Sequence, residues 1–273
     1  MLQNFHKQNA KQIVKEAKEI FDTKFFIQYP EFKGRVDILI VGSVANGVHD
    51  KYSDVDIELL YRDVRIGDEL LSSVKKFKKE LSLIDAPVQI HRPKLLDAFV
   101  TDLDSWTRDG MLREFSNAKI VSDSTGDITR LQKMYKWYPK DVYKEKINWL
   151  FAEMMFEYHE RHLVAVKRGD VYFANIVKNQ ILKYAMTVEL MLNRKYPSFD
   201  KHLYGDFKSL KKLPRGLVAV ISKCIRSTEF SNGQKDLEKI IFITEKLLIS
   251  KKLINQESLQ YWIELRPKYS VEV

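Results

Sequence analysis

The chain has 273 residues, 45% hydrophobic and 30% charged, with 46 Lys+Arg against 37 Asp+Glu for a net charge of +9. This describes an ordinary globular protein with enough chain for two modest domains or one large one. No apolar run approaches the ~20 residues of a membrane span, and Met1 to Lys18 is too polar for a secretory signal.

Residues 5–29 open with Ile13, Val14, Ala17, Ile20 and Phe21 at helical spacing. Ile38 to Val41 is an apolar, β-branched strand expected to be buried on both faces. Gly42-Ser43 then allows a sharp turn into a short helix, where a hydroxyl and free N–H groups favour an anion. Ten residues intervene before Asp54 and Asp56, read as part of a second apolar strand. Side chains alternate in a strand, so the two carboxylates share a face while Val55 and Ile57 point to the core. Two carboxylates beside a phosphate-binding turn suit Mg²⁺ carrying a nucleoside triphosphate.

Asp68 to Leu83 reads as an amphipathic helix broken at Asp85-Ala86-Pro87, with a short strand from Val88 to His91. Residues 94–116 look helical and irregular. Ala118 to Ser122 is a further strand, followed by the turn Asp123-Ser124-Thr125-Gly126 and a helix from Asp127. From Val142 the periodicity is helical almost throughout. One helix covers about 142–168 and stops at Gly169, and another covers 170–195 and stops before Pro197. Shorter helices follow Pro214 and Asn232-Gly233, and a last one runs from Gln256 to Leu265.

Gly42-Ser43, ten residues, then Asp54-x-Asp56 between two apolar strands resembles the signature of the nucleotidyltransferase superfamily with the DNA polymerase β-like catalytic fold. The resemblance implies an α+β chain. A nucleotidyltransferase mixed β-sheet flanked by helices would occupy 1–138, and an all-α helical bundle 139–273. It further implies that Asp54 and Asp56 hold Mg²⁺, with Gly42, Ser43 and Ser53 toward the nucleotide, ATP or another NTP. The expected activity is transfer of NMP, AMP first among them, to a small-molecule hydroxyl. A strand, a turn and a solvated acidic edge form the bland alternative.

The layout also looks like the kanamycin and lincosamide nucleotidyltransferases. Glu153-Met154-Met155-Phe156-Glu157-Tyr158 resembles the helix carrying the kanamycin enzyme's general base, which maps to Glu157. Arg161 lies one turn later, so an i,i+4 surface salt bridge is the competing reading. His159 and His162 read as ordinary polar positions. A third carboxylate is usual in this superfamily on a later strand, and Gln89 stands there, with His91 on the same strand face. A nucleotide-binding protein without turnover therefore competes with the enzyme reading.

The single cysteine, Cys224, allows no internal disulfide and suits a cytoplasmic location. Lysine pairs such as Lys75-Lys76 and Lys211-Lys212 are scattered as on a solvated surface. A protein hydroxyl is an alternative acceptor, a nucleic-acid acceptor draws on the positive charge alone, a membrane partner is not expected, and a homodimer is left open.

Overall fold

The computed structural model describes residues 10–78, 87–106, 108–227 and 230–254, with backbone alone for 230–232. The chain divides into two compact units, Met1–Lys136 and Trp137–Val273.

In the first unit, α1 (Ala10–Ile20) runs through a π-helical turn (Phe21–Phe25) into α2 (Phe26–Gln28). There follow β1 (Val36–Val41), α3 (Gly42–Asn46), β2 (Val55–Tyr61), α4 (Gly67–Phe77), β3 (Val88–Ile90) and β4 (Lys94–Leu95). The unit closes with α5 (Leu96–Asp104), α6 (Asp109–Asn117), β5 (Lys119–Ser122) and α7 (Asp127–Met134). The sheet has the order β3-β2-β1-β5, with β4 also on β2. β1 pairs antiparallel with β2 and β5, whereas β2 pairs parallel with β3 and β4, which makes the expected mixed sheet.

Ile38, Leu39 and Ile40 are buried, as a two-sided central strand requires. The apolar stripe of the N-terminal helix covers the sheet through Ile13, Ala17, Phe21 and Phe25. Ring centroids of Phe25 lie 5.5 Å from Phe21 and 5.0 Å from Phe77, joining that helix to α4.

Asp37 in β1 is fully buried, and burial of a lone carboxylate is costly. Arg62 offsets that cost with an ion pair at 2.7 Å. Ser124 adds its N–H at 3.0 Å and its hydroxyl at 3.2 Å. Arg62 also donates to Asp127 at 3.0 Å and Thr125 at 2.6 Å, so one guanidinium ties the turn before α7 to the sheet.

The second unit is helical: α8 (Lys140–Phe156), a π-helical segment (Glu157–His162), α9 (Leu163–Arg168), α10 (Val171–Leu192), α11 (Asp200–Lys208), α12 (Leu217–Arg226) and α13 (Phe230–Ser250). Gly169 ends the first long helix at φ 69°, and Asp170 caps α10 by accepting from the Phe173 N–H at 3.0 Å. Buried Ala174, Val177, Ile181, Leu182 and Ala185 make α10 the centre on which α8, α11 and α13 pack.

Two expectations need correction, and one helix was not singled out. Asp54 lies one residue before β2 rather than inside it. Asn232-Gly233 falls within α13 instead of starting a short helix. A helical glycine costs only about 1 kcal/mol, less than burial of Leu237, Ile240 and Leu248 returns. The polar segment around α11 carries no marked stripe in the sequence, yet it is a helix anchored by buried Leu203 and Phe207. The expected helix from Gln256 to Leu265, and the break at Asp85-Ala86, lie outside the described residues. No helix among the described residues is long and apolar enough to cross a membrane.

Candidate active site

β1 delivers the chain to Gly42, which turns with φ 70° into α3. A side chain is disfavoured there twice over. The dihedral lies in the left-handed region, and a Cβ would collide with Asp56 Oδ2. The antiparallel register sets this up by pairing Val41 with Asp56. Val55 and Ile57 are buried on the core face, so Asp56 projects from the opposite side with partial exposure. Asp54, also half-buried, stands just before the strand.

Two side chains that carry no local sequence signal hold this corner. Glu114 on α6 accepts the Gly42 N–H at 2.6 Å. Asn46 donates to the Gly42 carbonyl at 2.7 Å and lies 3.5 Å from the same Glu114 oxygen. His91 Nε2 donates to Asp56 Oδ1 at 3.2 Å. That bond holds the imidazole above its ordinary value, against the desolvation of partial burial. Two positions on from Asp56, Glu58 is buried and receives Lys94 at 3.2 Å.

Gln89 lies in β3, paired in register with Asp56 and exposed, whereas His91, expected in the same strand, stands one residue beyond its end, its N–H donating to the Ile57 carbonyl at 2.9 Å. Ser53 is occupied in the loop before Asp54. It accepts the Asp50 N–H at 2.9 Å and donates to the Asp50 carboxylate at 3.1 Å. Ser43 is half-buried, and its carbonyl accepts the Val48 N–H at 3.0 Å.

Glu157 belongs to the second unit, where it opens the π-helical segment. Its side chain is only 7% exposed and pairs with Arg161 at 2.9 Å, so the carboxylate end of this pair is not a surface one. His159 is exposed and His162 is buried; desolvation holds the His162 imidazole below its ordinary value.

Among the described residues no group of three or more His, Cys, Asp and Glu could hold a metal ion. Mg²⁺ needs fewer protein ligands than that when substrate phosphates and water complete its octahedron, and carboxylates are its preferred donors. Asp54 and Asp56 therefore suit Mg²⁺ by the chemistry of their donors, and the missing side chain of Gly42 is what leaves room for the Asp56 carboxylate.

Residues 11–102 match the family model described as a nucleotidyltransferase domain. That stretch of the first unit therefore carries a nucleotidyltransferase domain, the kind found in enzymes that move nucleotidyl groups. Residues 106–203, which span the division between the two units, match a domain of unknown function (DUF4037). No curated protein matches the chain. A nucleotidyltransferase-like protein of known structure from Exiguobacterium sibiricum is 13% identical, with 89% of this chain and 80% of that chain covered and a TM-score of 0.49. That likeness is too loose to transfer anything from the one protein to the other.

Proposed function

We propose that the protein transfers an NMP group, AMP from ATP in the first instance, to a hydroxyl of a small molecule. The observation that carries the reading is the Asp56 carboxylate packed against the side-chain-free Gly42 turn, inside a matched nucleotidyltransferase domain. Mg²⁺ held by Asp54 and Asp56 would supply neutralisation of the triphosphate charge. The Gly42 N–H and Ser43 donate to phosphate oxygens, and His91 keeps one Asp56 oxygen engaged so that the other faces Gly42. The acceptor hydroxyl oxygen bonds to the α-phosphorus, pyrophosphate leaves, and the hydroxyl proton passes to a base. For that base the sequence offers Glu157, by the resemblance of its helix to that of the kanamycin enzyme. Such in-line displacement asks mainly for positioning and charge stabilisation.

A net charge of +9 favours an acceptor that is not a polycation. Buried Cys224, alone in the chain, suits the cytoplasm. The second reading is a nucleotide-binding protein without turnover. It is favoured by exposed Gln89 in the position where a third acid is expected.

Calorimetric titration of ATP with and without Mg²⁺ tests the site. The Asp56→Asn variant should lose the Mg²⁺-dependent part of the affinity while melting as a folded protein. Unchanged affinity would contradict the assignment.

A further inference from the structure

The helical unit contains a cavity of about 620 Å³ between the C-terminal end of α10, the segment after α11, and α13. This lies within the roughly 300–1,000 Å³ of small-molecule sites. Asn193 closes one side by donating to the Lys212 carbonyl at 2.9 Å.

Glu189 lines this cavity from α10 and is only 1% exposed. Its Oε1 atom has no hydrogen-bond partner among the described residues. A buried carboxyl oxygen left without a partner is costly, and such a group calls for an explanation. Lys212, Arg215, Lys246 and Lys251 line the same cavity; Lys251 acts on the Glu189 carboxyl through space, and none of the four makes a salt bridge among the described residues. The apolar wall includes Phe242, 56% exposed, with the Lys246 ammonium 5.3 Å from its ring centroid. A cationic rim, an apolar wall and an unpartnered buried polar atom together describe a recognition site for an amphipathic anion.

We propose that this cavity binds a small organic anion with an apolar ring. Its phosphate or carboxylate pairs with Lys212, Arg215 and Lys246, its ring lies against Phe242, and a polar atom receives the Glu189 carboxyl proton. Burial pushes the Glu189 carboxyl up to about 7, so it is available as a donor near neutrality. The site lies wholly in the second unit and does not depend on the nucleotide reading.

The test uses the full chain and four probes: 1-naphthyl phosphate, 1-naphthoate, 1-naphthol and inorganic phosphate. At least one naphthyl anion should bind about tenfold or more tightly than naphthol or phosphate alone. Which one binds distinguishes a phosphate from a carboxylate head group. The Arg215→Glu, Lys246→Glu double variant should weaken that binding about tenfold or more, at an unchanged melting temperature. Ser250→Trp, placed on an exposed lining position, should obstruct the cavity without touching its charges. Equal binding of naphthol, no binding of either anion at millimolar concentration, or indifference to both variants would overturn the proposal. So would loss of the probe in Asp56→Asn, which would place it in the nucleotide site instead.

Discussion

Gly42 answers two demands at once, a left-handed φ of 70° and free space for the Asp56 carboxylate. Gly42→Ala should lower stability by about 1–2 kcal/mol from the dihedral alone. It should also cut Mg²⁺–ATP affinity more than stability, because the methyl group displaces the carboxylate; a melt and a titration on one variant check both. Glu114 makes a separate prediction. Its carboxylate takes the Gly42 N–H that the proposed function assigns to a phosphate oxygen. A hydrogen bond of a charged group is worth about 1.5–3 kcal/mol, so Glu114→Ala should tighten ATP roughly tenfold. Weaker binding would mean that Glu114 helps to hold the metal or the nucleotide. Gly42, Asp54 and Asp56 were legible because their spacing is local. Glu114 was not, since it stands 72 residues from its partner and only the packing of α6 brings it there.

At the scale of elements, α10 carries Glu189 to a cavity that Lys212, Arg215, Lys246 and Lys251 also line. Its carboxyl is raised from 4.5 to about 7, mainly by desolvation, with Lys251 opposing. The folded state thus holds more protons than the unfolded state between these values. Stability should be fullest below about 4.5, fall as pH rises to about 7, and level off above. Glu189→Gln should remove this dependence and stabilise the protein near pH 8 by roughly 3 kcal/mol, with little effect at pH 4, as chemical denaturation across pH would show. Helix-period stripes and two-sided apolar strands made α4, α8, α10, β1 and β2 readable. The missed features lack such a signal. β4 has two residues, α11 is mostly polar, and Asn232-Gly233 looks like a stop inside α13. The π-helical segment at Glu157 also left no mark, because a one-residue widening preserves the stripe on either side.

For the molecule as a whole, an α/β sheet unit followed by a helical unit was visible as a change in periodicity near residues 135–141. The chemistry proposed for the first unit rests on one local pattern, Gly42-Ser43 and Asp54-x-Asp56, and no motif names an acceptor. The sequence also hid the role of Asp37, an acid inside an apolar strand whose partners Arg62 and Ser124 come from elsewhere in the chain. The central claim is catalysis by the Asp54–Asp56 pair. Its most direct test is release of pyrophosphate from α-labelled ATP, with the label appearing on a hydroxyl compound from a metabolite panel, in the presence and absence of Mg²⁺. The parent should transfer the label in a Mg²⁺-dependent way and Asp56→Asn at least about 100-fold more slowly, with the fold intact in both. Transfer that persists undiminished in Asp56→Asn, or Mg²⁺–ATP binding by the parent with no transfer to any hydroxyl offered, would contradict the claim.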